Sequence, residues 1–378
     1  RQRARVRAIR RGLVAGVVLV VLASVLKLPL LILSPGPTYN TIGEVEGTPM
    51  IEITGTTTYP TEGNLDMLTV SERGGSSGGV HVGEALVGWV SPGDAIVPRD
   101  TVYGDETKEE ITQRNDQLFA LSQSDSIAAA MNELGIPTTQ AVVVTVVSGG
   151  APADGIVQAG DEILAVNGAK VTSPAEVGKA VRAGEVGDTV TLDVRRRPAE
   201  PGGTPQELQL EVVSEANPEA AAKDPSAPPV PYLGISVGVQ YEAPFQIDFT
   251  LENVGGPSAG MMFSLAIIDM LTEGPMNGGG FVAGTGTITP EGRVGPIGGI
   301  RQKLVGAEDA GAKLFLAPVG NCPEVVGHEP GGMTVVPVAT LGEARQAVQR
   351  WAADNGATFP TCASVAPPPS PAPSASAS

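Results

Sequence analysis

A serine stands where the chain changes from a predicted strand to a predicted apolar helix. Residues 245–271 read in order as a strand, a glycine-rich turn and a buried helix. Gly255 and Gly256 allow backbone angles that other residues avoid, and Pro257 suits the first turn of a helix. Ser258 would then lie at a helix N-terminus, where unpaired N–H groups and the helix dipole stabilise the oxyanion of acyl transfer. Taken alone, the pattern fits equally a serine that only caps the helix.

A lysine further along the chain lies on the apolar face of another predicted helix, which begins near Gly299. At 100° per residue one arc of this helix holds Ile300, Lys303, Leu304, Ala307 and Ala310. A lysine on a buried face is unusual, and desolvation there lowers its pKa and leaves part of it neutral. A neutral amine is the form that a general base needs. Read alone, Lys303 fits as well a side chain at the edge of the face with its amine in water.

Together the two segments resemble the proteolytic domain of Lon-type proteases. In that family the nucleophile lies in a GPSAG turn and the base ends a PIGG-x-x-x-K stretch, and here the motifs stand as GGPSAG and PIGGIRQK. The resemblance covers about residues 232–350 and implies a serine endopeptidase with Ser258 as nucleophile and Lys303 as base. It further implies that Thr285 orients the lysine, and that an N–H near Gly256 joins that of Ser258 at the oxyanion. The substrate would lie as an added strand beside FQIDFTLE.

Two departures from the Lon pattern bear on the mechanism. The family often has an acidic residue three before the nucleophile, and this position is Gly255 here. The sequence also lacks the G-x-x-x-x-G-K-[ST] loop of the Lon ATPase. The resemblance therefore implies hydrolysis without ATP or another cofactor, of substrates that arrive extended or unfolded.

A second resemblance covers residues 139–214. The order of strand, GAPA turn, AGDEILAVNG core, helix and two further strands resembles a bacterial PDZ domain. Such domains bind peptide ends or extended segments as an added strand. Their carboxylate-binding loop usually precedes the first of these strands, where the candidate is Leu134, Gly135 and Ile136. The alternative is that this tripeptide only ends a helix.

The N-terminal run from Ile9 to Leu33 predicts a membrane helix. Its apolar length matches the roughly 20 residues that span a bilayer, and Arg10 and Arg11 mark the cytoplasmic end. A cleaved signal peptide is the competing interpretation, although no A-x-A-like site follows. The expected protein crosses the cell membrane once, with residues 1–8 as a cytoplasmic basic tail and the protease domain outside.

The predicted fold class is α+β and multidomain. Its further parts are a β-rich and helical region (34–138) with two helices over 105–134, a linker (215–231), a Lon-like domain (232–362) and a Pro/Ala/Ser tail (363–378). This arrangement of anchor, PDZ-like and Lon-like domains resembles the membrane-anchored PDZ–Lon proteins of Gram-positive, actinobacterial type. Because Lon-type domains often form rings, the resemblance also implies a homo-oligomer.

The charge of the chain argues against a nucleic-acid partner. The formal net charge is −17, and six arginines lie among the first eleven residues, so the remainder is more acidic still. An acidic surface repels phosphate backbones. The expected partners are protein or peptide substrates and the membrane.

The only two cysteines, Cys322 and Cys362, lie late in the chain. In an oxidising compartment they would form a disulfide, and otherwise they would be two buried thiols. A zinc site needs more ligands than these, so no metal is predicted.

Two other functions fit parts of the sequence. GPSAG also matches G-x-S-x-G, the nucleophile elbow of α/β-hydrolases, which would use His328 as base and Asp269 or Asp309 as its orienting acid. That fold needs a long parallel sheet before the elbow, where a PDZ-like unit stands instead. The second alternative is a non-catalytic PDZ scaffold with a protease-like domain, against which the intact pair of Ser258 and Lys303 argues.

Overall fold

The computed structural model describes residues 10–11, 14, 23–75, 78–91, 93–104, 108–196, 204–224, 226–251, 254–354 and 356–365. The chain divides into two compact units, one of Arg1–Leu134 with Ile247–Ser378 and one of Gly135–Gln246. The second unit is thus inserted into the sequence of the first.

The longer strands are β1 (Leu30–Asn40), β2 (Ile51–Thr54), β3 (Asn64–Arg73), β4 (Ala95–Pro98), β5 (Thr139–Val147), β6 (Glu162–Val166), β7 (Thr189–Arg196), β8 (Gln206–Val213), β9 (Ile235–Glu242), β10 (Gln246–Phe249), β11 (Phe281–Gly284), β12 (Leu314–Pro318) and β13 (Thr334–Val338). The longer helices are α1 (Val82–Val90), α2 (Lys108–Leu134), α3 (Pro174–Arg182), α4 (Gly260–Leu271), α5 (Ile300–Ala310) and α6 (Leu341–Ala353). Short helical turns lie at Arg99–Tyr103, Pro218–Lys223, Val319–Asn321, Cys322–Val325 and Cys362–Val365. Two-residue strands lie at Lys27–Leu28, Glu44–Val45, Thr48–Pro49, Val80–His81, Ala169–Lys170, Glu215–Ala216, Pro231–Tyr232, Thr287–Ile288 and Val294–Gly295.

A mixed sheet of order β13-β12-β11-β3-β1-β4 forms the centre of the first unit. Strands β11, β12 and β13 are parallel, and β3 pairs parallel to β11 and antiparallel to β1. The pairing of β3 with β11 ends at Met67 opposite Gly284, although β3 continues to Arg73. The last part of β3 therefore has an edge without a strand partner on the β11 side, within the described part of the chain.

The structure contradicts the predicted membrane helix over residues 9–33. Its last part is strand, because β1 begins at Leu30 and pairs with β3 and β4. Leu31 and Ile32 are fully buried inside the protein. Residues 30–33 are apolar because they belong to an inner strand of the sheet. A short apolar run does not distinguish a buried strand from a helix.

Among the residues that the structure describes, no helix combines the length and the apolar composition needed to cross a bilayer. The transmembrane helix in the predicted fold class, and the single-pass localisation that depended on it, are therefore wrong on this finding. Residues 1–9, 12–13 and 15–22 lie outside the described residues, as do the predicted basic tail over 1–8 and, apart from 363–365, the predicted C-terminal tail.

The N-terminal region contributes directly to the unit that contains Ser258. The sequence prediction set residues 34–138 apart, but β3 lies between β1 and β11 in one sheet.

Residues 105–134 were predicted as two helices, and the described part forms the single 27-residue helix α2. Neither glycine nor proline interrupts α2 before Leu134, so no helix breaker divides it. A strand or helix that completes a distant sheet leaves no mark in its local sequence.

The second unit has its own sheet, of order β8-β7-β6-β5-β9, and a core of valine, leucine, isoleucine and alanine side chains. Ser173 caps α3 by accepting a hydrogen bond from the Glu176 N–H. Strand β9 pairs antiparallel with β5 along its whole length. The sequence prediction began the Lon-like domain at residue 232, whereas this pairing brings β9 into the PDZ-like sheet.

Candidate active site

The turn that carries Ser258 lies between β10 and α4 and packs against helix α2. The Gly256 N–H donates to the Asn115 carbonyl over 3.0 Å, and Gly256 has a φ of 86°, which favours glycine. A Cβ added to Gly255 would lie 2.8 Å from the Cβ of Asn115. The close approach of α2 therefore leaves no room for the acidic side chain that Lon proteases often have at this position.

Helix α5 brings the amine of Lys303 to the hydroxyl of Ser258. The Lys303 Nζ lies 2.7 Å from Ser258 Oγ and 3.0 Å from Thr285 Oγ1. Only 2% of Lys303 is exposed. Burial lowers the pKa of the Lys303 amine from 10.5 to about 7. Desolvation penalises the charged form, so much of the amine is neutral at neutral pH.

Thr285 fixes the direction of the hydrogen bonds around the amine. It follows β11, is fully buried, and its hydroxyl donates to the Ser258 carbonyl over 2.9 Å. Since the hydroxyl proton is used there, the Thr285 oxygen accepts from Lys303 Nζ. The lone pair of a neutral Lys303 amine is then available to the proton of Ser258 Oγ.

Of Gly256, Pro257 and Ser258, Ser258 is the residue whose N–H is available to a substrate oxyanion. The sequence prediction added an N–H near Gly256, but the Gly256 N–H is bonded to the Asn115 carbonyl, and Pro257 has no N–H. Within the described residues, the Ser258 N–H donates no backbone hydrogen bond. The Ser258 carbonyl accepts from the Gly286 N–H over 2.9 Å, which holds the turn on its other side.

A cleft of about 470 Å³ opens at Ser258 and Lys303. One wall is β3 from Met67 to Glu72, and the opposite wall is the turn that carries Ser258. This part of β3 has the unpaired edge described above. An extended peptide can add to such an edge through main-chain hydrogen bonds.

His328, Asp269 and Asp309 of the hydrolase alternative do not line the cleft at Ser258. His328 is exposed, and its Nδ1 lies 3.4 Å from the Val326 carbonyl of its own loop. Asp309 is also exposed. Asp269 is buried and accepts from the Met276 N–H, and burial raises the pKa of its carboxyl group. The group in contact with Ser258 Oγ is the lysine amine.

The second unit contains a groove between α3 and β9 that sequence reasoning missed. Its volume is about 240 Å³, and its lining includes Val177, Val181, Leu233, Ile235 and Val237. The tripeptide Leu-Gly-Ile occurs twice, at 134–136 and at 233–235, and the second copy leads into β9. Gly234 has a φ of 79°, as a tight loop before a strand requires. The second Leu-Gly-Ile copy was the sequence feature that could have indicated this groove.

The first copy of the tripeptide lies elsewhere. Leu134 is the last residue of α2, Gly135 is exposed with a φ of 70°, and Ile136 is half-buried. None of the three lines the groove between α3 and β9.

Cys322 and Cys362 form a disulfide that joins two short helical turns, and both residues are buried. Next to the bridge, the Asn321 side chain accepts from the Ile297 N–H and donates to the Ile297 carbonyl. Ile297 belongs to the PIGG turn that precedes α5, so this contact braces the start of the lysine helix. In the described part of the chain, no group of three or more His, Cys, Asp or Glu side chains is placed to hold a metal ion.

Two family models match parts of this chain. The Lon protease (S16) C-terminal proteolytic domain matches residues 253–346, and the PDZ domain matches residues 118–212. The Lon protease of Buchnera aphidicola is 38% identical over 91 residues, which are 23% of this chain and 12% of that protein. The Lon protease of Lachnoclostridium phytofermentans is 41% identical over 91 residues, which are 23% of this chain and 11% of that protein. The chain thus spans a small part of the length of these curated relatives.

Solved structures of PDZ domains are similar to part of this chain. The PDZ domain of an SdrC-like protein from Listeria monocytogenes is 23% identical and covers 26% of this chain and 86% of that chain, with a TM-score of 0.20. The PDZ domain of an SdrC-like protein from Listeria innocua is 26% identical and covers 26% of this chain and 92% of that chain, also with a TM-score of 0.20. With the two family models, the chain contains a Lon-type (S16) proteolytic domain, which is that of a serine-type peptidase, together with a PDZ domain.

Proposed function

We propose that this chain is a serine endopeptidase in which Ser258 is the nucleophile and Lys303 the general base. The observation that carries the proposal is that Lys303 is buried with its Nζ 2.7 Å from Ser258 Oγ. Nucleophilic catalysis needs a base within hydrogen-bond reach whose proton-free form is populated at the working pH. A pKa of about 7 for the Lys303 amine meets that requirement.

The reaction begins when neutral Lys303 takes the proton of Ser258 Oγ, which then attacks the scissile carbonyl. The Ser258 N–H stabilises the oxyanion of the tetrahedral intermediate. The protonated Lys303 gives its proton to the leaving amine, and an acyl-enzyme remains on Ser258. Water then attacks the acyl group, with Lys303 acting again as base. Thr285 keeps the amine directed at Ser258 through both halves of the reaction.

The substrate lies in the cleft as an extended segment paired with the free edge of β3. Main-chain hydrogen bonds do not depend on the side chains of the substrate. They exclude folded segments, because the backbone of a folded segment is already hydrogen-bonded. We include hydrolysis without ATP in the proposal, and it is supported by the 378 residues, which hold no phosphate-binding loop of the G-x-x-x-x-G-K-[ST] type. Substrates are therefore chains that are already unfolded.

Lon-type domains often assemble into rings, and we include a homo-oligomer in the proposal, to be measured by light scattering.

Hydrolysis of a quenched, unfolded protein substrate by single variants tests this function. Ser258→Ala and Lys303→Ala should lower kcat/KM to the background, whereas His328→Ala and Lys313→Ala should keep it. Lys313 is exposed and serves as the matched lysine control. Full activity in Lys303→Ala together with loss in His328→Ala would favour the α/β-hydrolase alternative. A wild-type protein that hydrolyses no substrate and labels with no fluorophosphonate would instead be a PDZ scaffold.

The groove between α3 and β9 binds the C-terminal end of a peptide with an apolar last residue. Its lining includes the aliphatic side chains of Val177, Val181 and Ile235 together with Arg182 and Asn217. Among the described residues β9 is an edge strand, which can accept an added strand. A fluorescent peptide ending in valine should bind the wild type, and Ile235→Glu should weaken its binding at least tenfold, as expected for a charge placed in an apolar pocket. Ile136→Glu, in the other Leu-Gly-Ile copy, is the matched control and should bind normally. The opposite result would assign peptide binding to residues 134–136.

A further inference from the structure

A hydrogen bond from α2 reaches the peptide unit that carries the N–H of Ser258. The Ser122 hydroxyl donates to the Pro257 carbonyl over 3.1 Å, and Ser122 is buried. The described chain contains no cis peptide bond. Because a trans peptide is planar, the N–H of Ser258 points away from the Pro257 carbonyl. A bond that fixes the direction of this carbonyl therefore fixes the direction of the N–H.

Other contacts hold the peptide unit before Gly256 and the one after Ser258, and Ser122 holds the Pro257 carbonyl between them. The Gly256 N–H is bonded to the Asn115 carbonyl, and the Ser258 carbonyl is bonded to Gly286. Asn115 and Ser122 are seven residues apart in one helix, so they lie two turns apart on the same face. This face of α2 thus contacts the nucleophile turn at two points.

Space around Ser122 is limited, which keeps the hydroxyl in place. A Cβ added to Gly260 would lie 2.8 Å from Ser122 Oγ and 2.7 Å from a side-chain carbon of Ile288. The glycine at the first position of α4 therefore lets the two helices approach until the Ser122 hydroxyl meets the Pro257 carbonyl.

We infer that Ser122 is a positioning residue of the oxyanion hole, which orients the Ser258 N–H by holding the Pro257 carbonyl. The inference rests on the proposed peptidase function, since an oxyanion forms only if Ser258 attacks a carbonyl. Ser122 does not touch the substrate. Its effect is greatest in the transition state, because the substrate carbonyl needs this donor most when it carries negative charge.

The expected effect of removing the hydroxyl follows from the cost of losing an oxyanion donor. Complete loss of one donor lowers kcat by about 10²–10³-fold. In Ser122→Ala the N–H remains but its direction is no longer fixed, so we expect kcat to fall by about tenfold, less than the loss of the donor itself would cause. KM should be unchanged, since binding of the ground state uses the cleft walls.

The test measures kcat and KM of the full chain as wild type, Ser122→Ala and Ser126→Ala with one peptide substrate. Ser126 is also fully buried on α2, but its hydroxyl donates to the Gln123 carbonyl of its own helix, so Ser126→Ala is the matched control. A peptide boronate, which forms a tetrahedral adduct on Ser258, provides a second readout. Its affinity for Ser122→Ala should fall by the same factor as kcat/KM, while the affinity of an uncleaved peptide stays constant.

Equal kcat in Ser122→Ala and Ser126→Ala would overturn the inference, and so would a fall in kcat without a fall in boronate affinity. If Ser122→Ala does not fold, Ser122→Cys keeps a side chain of similar size with a weaker donor, and an unchanged kcat in that variant would also overturn it. A wild type without hydrolysis would instead refute the proposed function, so the two failures are distinguishable.

Discussion

The rate of peptide hydrolysis should follow the protonation state of Lys303. Burial lowers the pKa of the Lys303 amine from 10.5 to about 7, so about half of it is neutral at pH 7. With the ordinary pKa, roughly one amine in 3,000 would be neutral at that pH. Burial therefore raises the concentration of the active base by about three orders of magnitude. We expect kcat/KM to rise about tenfold per pH unit below pH 7 and to level off above it.

The assay measures kcat/KM from pH 5 to pH 9 with a quenched fluorescent peptide, and the rate at which a fluorophosphonate labels Ser258. Labelling reports the activated serine without the later hydrolysis of an acyl-enzyme. A histidine with an ordinary pKa would produce an inflection in the same range. The controls are therefore His81→Ala and His328→Ala, which replace the only two histidines in the sequence and should keep the inflection. A flat profile between pH 6 and pH 8, or an inflection lost in either control, would refute Lys303 as the base.

Three further changes test the packing around the site. Lys303→Met should raise the free energy of unfolding at pH 7 by up to about 5 kcal/mol, because the unfolded chain binds the proton that the buried amine loses. This gain in stability should shrink as pH rises from about 7 toward 10.5. Urea denaturation in which the gain does not depend on pH would contradict this prediction. Gly255→Ala should lower the free energy of unfolding by about 1–3 kcal/mol, because its Cβ would lie 2.8 Å from the facing helix, while Gly298→Ala, whose Cβ meets open space, should be neutral. Reduction of the Cys322–Cys362 bridge, which closes a separation of 40 residues, should lower the free energy of unfolding by roughly 4 kcal/mol, and an unchanged urea midpoint under reductant would count against this.

The residues of the candidate active site could be named from the sequence because their chemistry is carried by short motifs. GGPSAG and PIGGIRQK contain the serine, the glycines that shape its turn and the lysine within a few positions. Lys303 also lies on an apolar helical arc, which fitted a buried amine and an amine at the edge of the face alike, and the matched motifs favoured the buried one. In the structure the amine and the hydroxyl are 2.7 Å apart.

The role of α2 had no counterpart in the sequence. Asn115 and Ser122 lie on a polar helix more than a hundred residues before the serine, in a stretch that matches neither motif. Their contacts with the turn exist only because α2 and α4 pack together. The same packing explains why Gly255 replaces an acidic residue, which the sequence showed only as a departure from the family.

The apolar N-terminal run led to an error of another kind, and the repeated Leu-Gly-Ile tripeptide left two candidate positions for the peptide-binding loop. The composition of residues 30–33 fits a membrane helix and an inner strand equally, and only pairing with β3 and β4 decides between them. Likewise, both tripeptides precede a strand, but only the second strand lies beside α3. In each case the deciding contact joins segments far apart in the sequence.

The sequence by itself identified the residues that could carry chemistry: a serine at a glycine-rich turn and a lysine on an apolar helical face. It also identified a PDZ-like segment, which lies before both of them in the chain and after the N-terminal region. These features depend on neighbours within one turn or one helix, which local sequence encodes. The tertiary structure alone decided which N–H groups of the nucleophile turn are already hydrogen-bonded and that helix α2 supports this turn. It also decided which edge of β3 has no strand partner and that β9, not the strand after residues 134–136, lies beside α3. Those properties depend on long-range pairing and packing, because a hydrogen-bonding group is free or occupied only with respect to what the fold brings against it.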